Sequence, residues 1–358
     1  MLKYFLYIVI TWFIISLNFI ATTPLSFCSN DAYEHKQYVE IISKEHRLPS
    51  PHENFVTYHP PLYYLIGSLV SYPISVNENL HIKSMRLISS SFGAIALITI
   101  FWFLNSLYKE ININLLVTIF IATTPKFFFI FNSYTNDSLS TLAGICIIAL
   151  SYKIRSNWSN KLALLLFIAA VIGVHAKYTI FWCIAIVFIF CLKNLFLKFK
   201  LPEKNEIKLF CVLVFAVICF LPWAYLHNYK YTKELFPIRH MDQTYVIKTI
   251  NIPEHIKTLN SIFNTSFFNL EKFKKPFLYP AGGPYSKIND YFSYSSISSV
   301  IGEFEIFKPN IIFVWMLLGI HFLMYLISVK EIFKSSVNQA SLAFVLLTHL
   351  IQVANIAR

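Results

Sequence analysis

The chain has 358 residues, of which 56% are hydrophobic and 13% charged, with a mean hydropathy of +0.57. A water-soluble domain of this size needs a far more charged surface, and a β-barrel needs short alternating blocks, whereas here the apolar residues come in long runs. The net charge of +12 therefore reads as basic loops at a membrane face and attraction to anionic headgroups, not as nucleic-acid binding.

The expected fold class is an all-α polytopic membrane protein, because a backbone in lipid must satisfy its own hydrogen bonds. Met1 to Ala21 carries Lys3 and then an apolar run. No small-x-small cleavage site follows cleanly, so this reads as a retained first span with Lys3 cytoplasmic. Apolar runs follow the order 4–22, 62–75, 87–107, 113–131, 138–152, 162–176, 178–192, 208–226, 310–328 and 338–355. Cys146, Cys183, Cys191, Cys211 and Cys219 fall inside these runs and read as packing residues, not disulfides or metal ligands. A long polar connection over 228–309, punctuated by Pro280-Ala281-Gly282-Gly283-Pro284, is expected to form an outer loop or small cap.

The run 62–75 decides the topology. If it crossed the membrane, the basic loops Lys153–Lys161 and Lys193–Lys208 would lie outside, against the positive-inside rule. About 14 residues at 1.5 Å each reach about 21 Å, short of a hydrocarbon core of about 30 Å. Pro60-Pro61 and Pro73 also argue against a full span. A half-inserted helix leaves nine full spans and divides the chain into an N-terminal transmembrane module (1–227, first outer loop 24–85), the 228–309 connection, and C-terminal spans over 310–358. One consequence is independent of that choice's motive: Asp31, Glu34, His35, His59, Asn136, Asp137 and Lys177 all fall on the non-cytoplasmic side.

Asp31, Glu34, His35 and Tyr38 have i, i+3, i+4, i+7 spacing and share one face of a helix. A carboxylate beside an imidazole can take a proton from a hydroxyl nucleophile. The same residues also fit a helix N-terminus, with Asp31 as cap and Glu34 completing a capping box. Asp137 opens a later span, where capping is again the simpler use. Lys177 and Arg86 are cations at a membrane surface, suited either to a lipid phosphate or to interfacial anchoring. Asp31, Glu34 and His35 could hold a divalent ion, but no spacing requires one, and no metal ligands are assigned.

Taken together, several of these segments resemble the GT-C superfamily of integral-membrane glycosyltransferases, in the protein-mannosyltransferase-like and aminoarabinose-transferase-like branch. The resemblance rests on an acidic residue after the first span, the Leu48-Pro49 turn, His59-Pro60-Pro61-Leu62-Tyr63-Tyr64, Arg86-Leu87, Pro125 with Asn136-Asp137, Lys177-Tyr178, Pro222-Trp223…Asn228-Tyr229 and Gly302-Glu303-Phe304. It implies a GT-C-like bundle with juxtamembrane helices in the first outer loop. It further implies sugar transfer from a polyprenyl-phosphate donor to a glycan, lipid or protein acceptor outside the cytoplasm, at the inner membrane of a bacterium. By the resemblance, Asp31 is the base or orienting acid, supported by Asp137, Glu34 and His35. His59, Arg86, Lys177 and Tyr63 hold the lipid-phosphate donor. Members of that superfamily continue beyond the point equivalent to Ala357-Arg358, so a truncated, inactive homologue is one alternative. A polysaccharide polymerase or ligase is another. A transporter is disfavoured, since the spans are nearly free of charge and the polar residues gather at one end.

Overall fold

The computed structural model describes residues 2–25, 31–71 apart from 52 and 55, 77–198, 201–233 and 235. All lie in the first of two compact units, Met1–His240. The expected cap at 228–309 and spans at 310–328 and 338–355 fall outside the described residues except at 228–233 and 235.

Among the described residues the regular structure is helical throughout: α1 Leu2–Thr22, α2 Ala32–Glu45, α3 Leu62–Ser71, α4 Glu78–Leu107, α5 Ile111–Thr123, α6 Pro125–Asn132, α7 Asp137–Ser156, α8 Asn160–Ala176, α9 Ile180–Lys198 and α10 Lys204–Ile218. The chain is an all-α polytopic membrane protein. Four helical stretches, Lys3–Thr22, Glu78–Leu107, Asp137–Ser156 and Lys204–Thr232, are long and apolar enough to cross a membrane. A fifth is counted if α5 and α6 form one broken span.

That break corrects the single run expected at 113–131. Pro125 has no N–H and its ring excludes the carbonyl four residues back. Thr124 is pushed to extended backbone (φ −63°, ψ 121°), and Pro125 then starts α6 as its first residue. The two helices meet at 63°. Thr123 and Thr124 hydroxyls donate back to Ile119 O and Phe120 O, each at 2.9 Å, and cover carbonyls that the break releases.

A second correction concerns α4. It starts well before residue 87, capped by Asn77, whose side chain accepts from Leu80 N at 3.1 Å. His81 and Arg86 interrupt the apolar run but not the helix, because protein rather than lipid surrounds them: both are buried. At 30 residues α4 is about 45 Å long, so its first turns project past the hydrocarbon core. The described part of α3 has ten residues, about 15 Å.

Three apolar clusters hold the bundle. Ile147, Ile154, Leu166, Val174, Leu213 and Phe220 pack α7, α8 and α10 together with the following turn. Trp12, Leu97 and Phe131 join α1, α4 and α6. Gly93 lets those three approach, since a Cβ there would lie 2.4 Å from Trp12 Cη2 and 2.7 Å from Phe131 Cβ. The third cluster, with Tyr38, Tyr63, Tyr64 and Met85, seats the first loop on α3 and α4. Leu6, Ile10 and Ile14 of α1 and Ile95 and Ile98 of α4 remain exposed, as lipid-facing side chains do.

Candidate functional site

Helix direction sorts the charges. α7 runs from Asp137 to Arg155 and Ser156, α8 returns to end beside Lys177, and α10 starts at Lys204. Arg155 Nε donates to Glu206 Oε1 at 2.7 Å, which fixes Lys153, Arg155, Lys161, Lys204 and Lys208 at one end of the bundle. Asp137 and Lys177 lie at the other.

At that second end Lys177 Nζ is 2.5 Å from Asp137 Oδ1. Their side chains are 19% and 44% accessible, so the ammonium is mostly covered and the carboxylate nearly half open. Burial opposes the charge of Lys177, but the Asp137 carboxylate outweighs it and its pKa stands above the usual lysine value.

The first loop brings Asp31 to the same place. Asp31 occupies the N-cap position of α2, but its side chain makes no capping bond. The capping use that the sequence allowed is therefore not the one adopted. The carboxylate instead turns along the helix face, with Oδ2 3.3 Å from Nε2 of His35. This is an electrostatic contact whose alignment is not that of a hydrogen bond. His35 Nδ1 meets Tyr64 Oη at 2.8 Å, and Tyr64 stacks on Tyr38 at 3.7 Å. Asp31 lies within Coulombic range of Asp137, Lys177 and His59. On the next residue of that face, Glu34, Oε2 is buried without a hydrogen-bond partner among the described residues.

His59 is held from both sides. Its N–H donates to Val56 O at 3.0 Å and its carbonyl accepts from Tyr38 Oη at 3.2 Å. The ring lies 4.1 Å from that of Tyr58 and 6.4 Å from that of Tyr178. Burial, then Lys177 and His35, press its pKa well below the ordinary histidine value, so the ring is neutral. That removes His59 as a cation for phosphate. Tyr178 Oη donates to Tyr58 O and accepts from Asn228 Nδ2, each at 2.8 Å.

Asn228 is supplied by a device that sequence reasoning missed. Pro222 ends the regular hydrogen-bond pattern after α10, and Ala224–Tyr229 continues as a π-helix. The shifted register buries His227 and Asn228 together, and His227 Nε2 sits 2.9 Å from Pro49 O in the first loop. Pro222 was the available signal. Tyr64 was missed as well; one tyrosine in a tyrosine-rich loop carries no mark until its contact with His35 is seen.

Arg86 is the expected site residue that the structure places elsewhere. It is fully buried and donates from Nε to Asn132 O at 2.9 Å and from Nη1 to Thr23 O at 2.7 Å and Ile20 O at 3.3 Å. These carbonyls belong to the C-terminal ends of α1 and α6, where partial negative charge collects. Arg86 thus ties two helix ends to α4. Tyr63 is similarly structural in its bonds: Oη lies 3.1 Å from Ser89 Oγ, which also accepts from Ser138 Oγ at 3.1 Å. Among the described residues no group of three or more His, Cys, Asp or Glu is arranged to hold a metal ion.

A family model described as "Predicted membrane protein (DUF2142)" matches residues 31–274, a stretch that starts at Asp31 and takes in every residue of this site. No curated protein matches the chain.

Proposed function

The chain belongs to the DUF2142 family of predicted membrane proteins, and from that premise and the site's geometry we propose that it is a glycosyltransferase that moves a sugar from a polyprenyl-phosphate donor to an acceptor at the non-cytoplasmic face. One observation carries the reading. An aspartate at a helix N-terminus forgoes capping and lies within Coulombic range of a lysine–aspartate pair from elements far away in the chain. A base and a counter-cation for a leaving phosphate are the two groups such a transfer needs.

In this mechanism the acceptor hydroxyl or amine gives its proton to the Asp31 carboxylate. Its heteroatom attacks the anomeric carbon from the face opposite the phosphate and inverts it. The bond to the phosphate oxygen breaks, and polyprenyl phosphate departs with the electron pair beside the Lys177 ammonium. A phosphate is a good leaving group, so no general acid is required. Arg86 and His59 take no part as cations, the first being committed to carbonyls and the second neutral. The basic end of the bundle supports a site that faces outward, by the positive-inside rule.

The test is transfer in membranes carrying the full chain, with labelled polyprenyl-phosphate sugars. Asp31→Asn keeps the shape and removes the base, and transfer should fall about 10²- to 10⁴-fold. Equal transfer by the parent and this variant would overturn the role given to Asp31.

A further inference from the structure

Two buried polar atoms beside the lysine–aspartate pair have no hydrogen-bond partner among the described residues: Nδ1 of His59 and Oδ1 of Asn136. Both residues are well over nine-tenths buried, His59 at 6% exposure and Asn136 at 0%. Leaving such atoms unpaired is costly, on the order of 1–3 kcal/mol each, and the two residues reach the same segment, Asn136 through Ala176 O and His59 through the Tyr178 ring at 6.4 Å, so a ligand that supplies their missing partners gains at both.

Their chemistry limits what that is. Asn136 Nδ2 donates to Ala176 O at 3.1 Å. A carbonyl can only accept, so the amide nitrogen must face it, and the oxygen is the atom left over. A spare acceptor needs a donor. A phosphate oxygen, unprotonated near neutral pH, cannot supply one, but a hydroxyl can. His59 is neutral, so its ring offers one donor and one acceptor, which again matches a hydroxyl and gives an anion nothing. The wall beside it is aromatic: Tyr58 and Tyr178 stand at 6.3 Å with rings 27° apart, and both are only half-buried. Flat aromatic faces with neutral hydrogen-bonding groups at their edge suit a polyhydroxylated ring, apolar on its C–H faces and polar at its rim. Asn136 braces the carbonyl that precedes Lys177, and His59 lies within Coulombic reach of the same lysine. The neutral groups and the cation therefore adjoin.

We propose that His59 and Asn136, with Tyr58 and Tyr178, form a subsite for the hydroxyls of the donor's sugar ring, separate from the Lys177–Asp137 pair that meets its phosphate. The inference rests on the glycosyltransferase reading and adds a part to it: the neutral groups select sugar, the lysine–aspartate pair the anion. His59 is thereby a specificity-determining residue and not a phosphate ligand.

The experiment compares binding of bare polyprenyl phosphate with binding of polyprenyl-phosphate glucose, mannose, galactose and arabinose, using the full chain in detergent or nanodiscs. The parent protein should bind at least one of the glycosylated lipids about 10-fold or more tightly than bare polyprenyl phosphate, the effect of two well-made neutral hydrogen bonds. His59→Phe should shrink that preference and leave affinity for the bare lipid unchanged; Asn136→Leu should shrink it as well. His59→Asn, whose amide lies where Nδ1 does, should restore much of it; a merely structural role would not give that rescue. Lys177→Met should weaken both kinds of lipid alike. A parent that binds bare and glycosylated lipids equally, or a preference that survives both His59→Phe and Asn136→Leu, would overturn the subsite while leaving the donor reading in place. A parent that binds no polyprenyl phosphate of either kind would overturn the donor reading itself, and the subsite with it.

Discussion

Replacing Lys177 by methionine separates what the Lys177–Asp137 pair does for the fold from what it does for a ligand. Stripping one partner from a fully buried ion pair costs about 3–5 kcal/mol, and from an exposed one about 0–1 kcal/mol. Here the lysine is mostly sequestered at 19% and the carboxylate nearly half open at 44%, so solvent makes good part of the loss, and Lys177→Met should cost about 1–3 kcal/mol. Adding Asp137→Asn removes the orphaned charge and should recover most of that. Affinity for polyprenyl phosphate should stay low in both variants, because no cation has been put back. Thermal unfolding of the full chain in detergent and a lipid-binding titration read the two effects side by side. A Lys177→Met protein as stable as its parent would refute the energetic argument; a double variant that binds polyprenyl phosphate as tightly as the parent would refute the functional one. The pH dependence has a definite sign. The folded pKa of Lys177 is raised, so its contribution is complete below the unfolded value of 10.5 and is lost only as pH rises through the folded one. Neutral and mildly acidic conditions leave it intact.

His59 gives the opposite dependence. Its pKa is pressed below 6.5 in the fold, so the unfolded chain takes up a proton that the native chain refuses, and stability falls as pH drops through 6.5. One such group contributes a slope of up to about 1.4 kcal/mol per pH unit. His59→Phe should flatten the melting temperature against pH, and parallel curves for the two proteins would count against a neutral buried ring. Gly93→Ala sets a methyl 2.4 Å from Trp12 Cη2 and 2.7 Å from Phe131 Cβ. The indole can swing away but the Phe131 Cβ is anchored to backbone, so a loss of about 1–3 kcal/mol is expected, partly recovered by Trp12→Phe; unfolding curves that superimpose on the parent's would show α1, α4 and α6 to be further apart. Arg86→Met leaves the carbonyls of two helix ends without their donor and should lower stability by about 3 kcal/mol or more. The fraction that folds should still bind polyprenyl phosphate, and selective loss of that binding would return Arg86 to the donor site.

Much of the helical layout could be read from hydropathy, because lipid leaves a spanning backbone few choices. The misreadings fall where a single residue acts through backbone geometry. Pro125 divides an apolar run that Thr123-Thr124-Pro125-Lys126 interrupts too briefly for hydropathy to split, since the break lies in a missing N–H and a ring clash. The start of α4 was misjudged for the converse reason: His81 and Arg86 look like the edge of a span, but a polar side chain can lie inside a helix when protein groups satisfy it. For the site, the positive-inside rule already grouped Asp31, Asp137 and Lys177 on one side of the membrane. What it could not supply was which of them touch.

By itself, then, the sequence determined the class of protein and its orientation signals. Long apolar runs demand helices that satisfy their own hydrogen bonds, and basic loops mark one end. The tertiary structure alone decided the uses of individual polar residues. Asp31 fits a cap and a base equally well until its side chain is seen to leave the helix N-terminus for His35. Arg86 and Lys177 are both cations near a membrane surface until one is found on helix-end carbonyls and the other beside a partly open carboxylate. The reason is physical: a charge's role is set by the groups that desolvate and pair it, and those groups come from segments far apart in the chain.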